Sequence, residues 1–244
     1  PLAAAGLLGS QMVHAIYRDD LPSLENQDPS GDFGDPANRT LRIVYLGDSS
    51  VTAPGIEDLD ATWPRQVAIH LADQYHVEAR SVAVGGSKVH DVLEDQVDRA
   101  LALEPDIVWV TVGSNDALRG IPINRFEHDY HKVVERLHDA VPAVGLSGVG
   151  DLGTIPRLPH LARGLARIRA RAVNHAIARV GSDFPRAVKS NPWGVMSTTF
   201  ASEPDTWGED LFHASAVGHL AFGELAKPIA DRLVDIWETY TAGA

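Results

Sequence analysis

The chain has 244 residues, of which 44% are hydrophobic and 22% charged, and these values are typical of one soluble globular domain with a large core. Its net charge of −12 argues against nucleic acid as a partner, because proteins bind phosphate backbones mainly through Lys and Arg. The chain contains no Cys, which excludes disulfides and thiolate metal sites.

The N-terminal part is predicted to precede the folded domain. Residues 2–8 are apolar, but the run is too short to span a bilayer. Two interpretations stay open. The run is either the end of a signal anchor, which implies membrane contact and an exported or membrane-associated location, or an amphipathic helix docked on the predicted domain, with a cytoplasmic location. Residues 21–40 have the composition of an extended linker. We therefore predict an N-terminal segment and linker over 1–40 and one domain over 41–244.

The centre of the predicted domain is the stretch 42–50. Residues 43–46 are apolar and rich in β-branched and aromatic types, so they predict a buried strand that ends at Gly47. Ser49 follows where the chain leaves the sheet. Ligands of open α/β sheets bind beyond the carboxyl ends of the strands, so a hydroxyl at this point suits chemistry. The same residues also suit a polar turn that caps the next helix, and this motif alone leaves both interpretations open.

The rest of the chain alternates helices with strands, and the third strand is apolar on both faces. This pattern predicts a three-layer α/β/α fold, with a parallel sheet covered by helices on both sides. For five strands we expect the flavodoxin-like order 2-1-3-4-5. No nucleotide-binding glycine motif follows the first strand, so no cofactor is expected. The later strands are predicted at 77–84, 105–112, 143–147 and 187–188, and the helices at 62–75, 89–103, 123–140, 161–180 and 216–239.

Residues that suit acyl transfer follow the predicted strands. Such a reaction needs a nucleophile, a base, a group that orients the base, and donors for the oxyanion. Ser49 follows the first strand, Gly86 the second and Asn115 the third. A glycine lets its backbone N–H approach a substrate closely, and a side-chain amide can donate a hydrogen bond to the oxyanion. Asp210 precedes His213 by three residues, so its carboxylate can reach one imidazole nitrogen while the other faces Ser49.

Four motifs resemble the conserved blocks of the SGNH (GDSL-type) hydrolase superfamily and occur in that family's order. Residues 47–49 (Gly-Asp-Ser) match the first block, although Ser50 stands where the family usually has Leu. Residues 84–87 resemble the second block, 113–116 fit the third (Gly-x-Asn-Asp), and 210–213 fit the last (Asp-x-x-His). The resemblance implies an esterase, lipase, thioesterase or carbohydrate deacetylase. No Gly-x-Ser-x-Gly elbow occurs, which argues against an α/β-hydrolase.

We therefore expect a serine hydrolase that needs no metal and cleaves small-molecule or carbohydrate esters, with short acyl or acetyl groups preferred. In this interpretation Ser49 attacks the carbonyl, His213 acts as base and then acid, and Asp210 orients the imidazole. The oxyanion is bound by the N–H groups of Ser49 and Gly86 and by the Asn115 amide. The alternatives are an O-acyltransferase that passes the acyl group to a carbohydrate, and a binding module without activity. The oligomeric state is left open.

Further polar and aromatic residues lie near the last motif. His219 lies six residues after His213 and is predicted to be structural. Trp193, Trp207 and Phe212 either line an acyl or sugar pocket or pack beneath the loop that carries His213.

Overall fold

A mostly parallel sheet with helices on both faces forms the centre of the structure. The computed structural model describes residues 20–243, so the predicted anchor or docked helix at residues 2–8 lies outside the described residues. In this part of the chain six strands pair in the order β1-β3-β2-β4-β5-β6. The strands are β1 (Gly31–Phe33), β2 (Thr40–Gly47), β3 (His76–Ser81), β4 (Ile107–Thr111), β5 (Ala143–Ser147) and β6 (Ala187–Ser190).

The helices connect these strands and also follow the last strand. A helix after β3 has three segments, of which the middle one is a π-helical turn, Val92–Gln96. None of the helices between residues 20 and 243 is long and apolar enough to cross a membrane. The helices are α1 (Ser49–Thr52), α2 (Trp63–Leu71), α3 (Val89–Asp91), α4 (Val97–Leu101), α5 (Ser114–Leu118), α6 (Ile123–Ala140), α7 (His160–Ser182), α8 (Trp193–Ser202) and α9 (Ala216–Ala242).

The α/β class and the order of the five parallel strands agree with the sequence-based prediction, but the number of strands does not. The extra strand, β1, lies in the stretch predicted as a linker and runs antiparallel to β3. The prediction of a linker is therefore wrong for Gly31–Phe33. Three residues are too few to show an alternating pattern in the sequence. The strand is held by backbone pairing and by Ser30, whose hydroxyl accepts a hydrogen bond from the Ser81 amide at 2.9 Å.

Each face of the sheet carries its own apolar core. Along β4, Val108 and Val110 face the layer formed by α3, α4, α6 and α7. Ile107 and Trp109 face the opposite layer, which is formed by α2 and α9. All four side chains are buried, so the strand is apolar throughout, as the sequence predicted for a strand covered on both sides.

The end of β2 requires a glycine. Gly47 has a φ of +147°, and a Cβ at this position would lie 2.0 Å from the carbonyl oxygen of Thr111 on the neighbouring strand. A side chain therefore clashes with backbone that belongs to the sheet. The absence of a side chain lets β2 pass close to β4 and turn at Asp48 into α1.

Gly47→Ala is expected to lower the free energy of unfolding by at least about 3 kcal/mol, because it adds both backbone strain and a clash with Thr111. The matched control is Gly164→Ala in α7, where no atom lies within 4 Å of the added Cβ. The control is expected to raise the stability by about 0.5–1 kcal/mol. Urea denaturation measures both changes, and a Gly47→Ala protein as stable as wild type would contradict the account of this turn.

Candidate active site

The most sharply defined pair in the site is His213 with Asp210. His213 Nδ1 lies 2.7 Å from Asp210 Oδ2. The other carboxylate oxygen accepts hydrogen bonds from the backbone amides of Phe212 and His213, each at 3.0 Å. Because Nδ1 faces a carboxylate, it carries the hydrogen, and Nε2 is left with a lone pair that can take a proton.

Asp210 is held in its ionised form. Burial raises the pKa of Asp210, but hydrogen bonds from the His213 ring and from the backbone amides outweigh it, and the net pKa lies below the usual value. Leu211 takes a left-handed conformation with a φ of +57°, and its carbonyl accepts a hydrogen bond from the Arg157 amide at 3.0 Å. The loop that carries this carboxylate is therefore strained at Leu211 and held in place by the hydrogen bond from the Arg157 amide.

Ser49 and Ser50 begin the short helix α1. The buried carboxylate of Asp48 caps this helix by accepting a hydrogen bond from the Ser50 amide at 2.9 Å. Both serines line the same cavity as His213. No hydrogen bond joins Ser49 to His213 in the described residues, and such bonds are often long until substrate binds.

The two other predicted oxyanion residues belong to the second and third motifs. Asn115 Nδ2 donates to Asp48 Oδ2 at 3.3 Å and to the carbonyl of Ser87 at 3.1 Å, so it joins the first motif to the second. Gly86 has a φ of +81° and borders an adjoining cleft, where the nearest atom to an added Cβ would be Arg119 Nη2 at 3.7 Å. Neither Gly86 nor Asn115 is part of the cavity wall that contains Ser49.

Gln96 has a role that the sequence analysis missed. Its buried side chain donates to the Gly47 carbonyl at 2.9 Å and accepts from the Gly47 amide at 2.8 Å. It also donates to the Ser87 hydroxyl at 3.1 Å. The signal was present in the sequence, because Gln96 follows Val92 by four residues and so lies on the apolar face of the predicted helix. The π-helical turn that ends at Gln96 marks the same place, since such turns are frequent at functional sites.

Asp116 connects the second and third motifs. Its Oδ2 accepts a hydrogen bond from the Val89 amide at 3.1 Å, and its Oδ1 is buried without a partner in the described part of the chain. Burial raises the pKa of Asp116 to about 6. This contact holds the start of α3 against α5.

A cavity of about 130 Å³ connects Ser49 and His213 to the interior. It lies between the sheet and the first turns of α9, and most of its wall is apolar. Phe212 is part of the wall, which favours the pocket interpretation for this residue. Trp207 instead packs beneath the loop, with its Nε1 donating to the Phe200 carbonyl at 3.1 Å. Trp193 stacks against the Arg171 guanidinium and is not among the residues that line this cavity.

His219 lines the same cavity and is almost fully buried. The Trp63 amide donates to His219 Nδ1 at 3.5 Å, so the ring hydrogen lies on Nε2. Burial, and to a lesser degree the nearby His213, lower the pKa of His219 to about 4. The ring is therefore neutral at neutral pH.

The buried neutral state of His219 is expected to make the protein less stable in acid. Between its ordinary pKa of 6.5 and the folded pKa of about 4, only the unfolded chain takes up this proton. Stability is therefore lost as the pH falls through this window, by roughly 3 kcal/mol for one group with such a shift.

His219→Gln is expected to remove that part of the loss, as measured by urea denaturation at pH values above and below the window. His128→Gln, at an exposed position of α6, is the control and is expected to behave like wild type. Equal acid sensitivity of His219→Gln and wild type would contradict this account.

The site combines a short helix that begins with two serines at the carboxyl end of β2, an Asp–His pair and an apolar cavity. These features are typical of ester hydrolases built on a parallel α/β sheet. The family model described as the GDSL-like lipase/acylhydrolase family matches residues 45–221. The chain belongs to this family and is a carboxylic ester hydrolase. No curated protein sequence matches it.

Three solved structures with the same fold, two of them described as esterases, are distant in sequence. The crystal structure of TesA has a TM-score of 0.65 and 19% identity, over 79% of this chain and 99% of that chain. The psychrotrophic esterase EstA from Pseudoalteromonas sp. has a TM-score of 0.58 and 17% identity, over 82% and 98% of the two chains. A catalytic mutant of Axe2, an acetylxylan esterase from Geobacillus stearothermophilus, has a TM-score of 0.66 and 14% identity, over 80% and 96%.

Proposed function

We propose that the protein hydrolyses carboxylic esters through an acyl-enzyme formed on Ser49. The observation that carries this proposal is that the His213–Asp210 pair and Ser49 meet at one cavity. The neighbouring Ser50 contributes its amide to the cap on Asp48. It therefore fits a role in holding the turn, while Ser49 carries out the attack.

The reaction follows from the proton positions in the site. Ser49 Oγ attacks the carbonyl carbon while its proton moves to His213 Nε2, and the ionised Asp210 stabilises the resulting imidazolium. Collapse of the tetrahedral intermediate breaks the bond to the alcohol oxygen, which leaves with the proton from His213. Water then attacks the acyl-enzyme, again giving its proton to His213, and the free acid leaves as Ser49 regains its hydrogen.

The oxyanion is proposed to lie among the N–H groups of Ser49 and Gly86 and the Asn115 amide. Support for Asn115 comes from its fixed position, because bonds to Asp48 and to the Ser87 carbonyl hold the amide beside the nucleophile helix. The bond to Asp48 is the longer of the two, so it is the one that an oxyanion would replace. Donors held in place before the reaction need no reorganisation when negative charge develops.

Small acyl groups fit the cavity best. Its volume of about 130 Å³ is close to that of an engineered apolar cavity of about 150 Å³ that binds benzene. We therefore propose that short acyl groups are preferred and that the alcohol part of the ester lies outside the cavity, where a small molecule or a carbohydrate can be accommodated.

Ser49→Ala is expected to lower kcat for p-nitrophenyl acetate by on the order of 10⁴-fold or more, because it removes the hydroxyl on which the proposed acyl-enzyme forms. Ser50→Ala provides the matched control on the adjacent hydroxyl. It is expected to keep kcat within about tenfold, or about 1.4 kcal/mol of barrier. Circular dichroism checks that both variants are folded. If Ser50→Ala is inactive and Ser49→Ala is active, the nucleophile has been placed one residue too early.

Asp210→Asn is expected to lower kcat by on the order of 10³–10⁴-fold with a smaller change in KM, because orienting the imidazole matters most in the transition state. Asp205→Asn is the control, since Asp205 is an exposed carboxylate just before the same loop. Steady-state kinetics with p-nitrophenyl acetate separates the two parameters. An unchanged kcat in folded Asp210→Asn would show that another group supports His213.

A further inference from the structure

Three hydroxyl groups form a row along one wall of the cavity. Thr111, Ser147 and Ser190 are the last residues of β4, β5 and β6 and are paired in register across these strands. All three line the cavity. Neighbouring strands lie about 4.8 Å apart, so the row runs for roughly 10 Å across the sheet. It begins beside Gly47, which pairs with Thr111 and precedes the nucleophile by two residues.

The hydrogen bonds within the row leave a donor unused. A hydroxyl has one hydrogen and two lone pairs. Ser147 Oγ accepts from Trp109 Nε1 at 2.9 Å and shares a second bond, of 3.2 Å, with Ser190 Oγ. Whichever serine donates in that second bond, the other keeps a hydrogen for which residues 20–243 supply no acceptor. Both serines are buried, so this hydrogen points into the protein interior or the cavity.

Two further donors lie at the same wall. Thr111 contributes to the wall, but its Oγ1 is covered by protein atoms and has no hydrogen-bond partner within residues 20–243, so a rotation about the Cα–Cβ bond is needed to turn the hydroxyl toward the cavity. His219 carries its hydrogen on Nε2, because Nδ1 accepts from the Trp63 amide, and the described part of the chain offers Nε2 no partner. An apolar cavity with several unused donors and no matching acceptor is costly unless a ligand or water supplies one.

The charge of the wall restricts what that acceptor can be. No Lys or Arg is found among the described residues that line the cavity. Burial lowers the pKa of His219 to about 4, so its ring provides no positive charge at neutral pH. A carboxylate would therefore be buried without a counter-ion, at a large cost in free energy. A plain alkyl chain would leave the donors unpaired. A neutral acceptor, such as a ketone or ester oxygen, satisfies both conditions.

We propose that the cavity binds the acyl part of the substrate and that the hydroxyl row with His219 selects acyl groups carrying a neutral oxygen acceptor beyond the ester carbonyl. This inference rests on the proposed function, since it requires the acyl group to enter the cavity from Ser49. It assigns Thr111 and His219 a role in specificity, and it names oxo-acyl esters as the preferred substrates over alkanoyl esters of the same length.

The test compares ethyl levulinate with ethyl valerate, which have acyl chains of equal length and differ by one ketone oxygen. Proton release at constant pH gives kcat/KM for each ester. The wild-type ratio of levulinate to valerate is expected to be about tenfold, the usual scale for a polar contact that one substrate makes and the other lacks. Thr111→Val is expected to bring the ratio down several-fold, while Thr111→Ser, which keeps the hydroxyl, is expected to retain it. The ratio does not depend on the fraction of folded enzyme.

Thr198→Val is the matched control, because the hydroxyl of this exposed threonine of α8 donates to the Gly194 carbonyl within its own helix. It is expected to leave both rates unchanged. Active wild-type enzyme that shows no preference for levulinate would overturn the proposal and indicate that water satisfies the donors. A preference that survives in Thr111→Val would overturn the role of the row. If neither ester is cleaved and a fluorophosphonate does not label the protein, the proposed function itself has failed.

Discussion

The close passage of Gly47 over Thr111 is the constraint on which the active site depends. No side chain fits between Gly47 and the Thr111 carbonyl, and the same carbonyl accepts a hydrogen bond from the Asp48 amide at 3.2 Å. The side chain of Gln96 holds both backbone groups of Gly47. This contact fixes where β2 ends and therefore where Ser49 leaves the sheet. It also brings the Thr111 side chain, at the end of the next strand, to the cavity wall near the nucleophile.

The site concentrates features that cost the fold stability. Leu211 is held in a left-handed conformation. Within residues 20–243, His219 is buried without a charge partner and Thr111 Oγ1 has no hydrogen bond. Strained backbone and unpaired polar groups persist only where the surrounding structure compensates for them, and they cluster at functional sites. Here two closely packed cores on either side of the sheet supply that compensation.

Much of this organisation is predictable from the sequence, and the remainder depends on contacts between distant residues. Apolar strands that alternate with helices determine the class and the order of the five parallel strands. Of the motif residues, Ser49 and His213 line one cavity and Asp210 is hydrogen-bonded to His213. The strand β1 could not be predicted, because three residues carry no period. His219 was expected to be structural, and its place in the cavity wall depends on how α9 packs against α2. The hydroxyl row depends on strand register, which only the assembled sheet defines.

The central claim is that Ser49 is the nucleophile that forms a covalent intermediate. The most direct test is to inactivate the enzyme with a fluorophosphonate and map the adduct by mass spectrometry of the intact protein and of its peptides. We expect a single adduct, located on Ser49, with loss of activity in proportion to labelling. An adduct on Ser50, or full activity in protein that is completely labelled elsewhere, would contradict it.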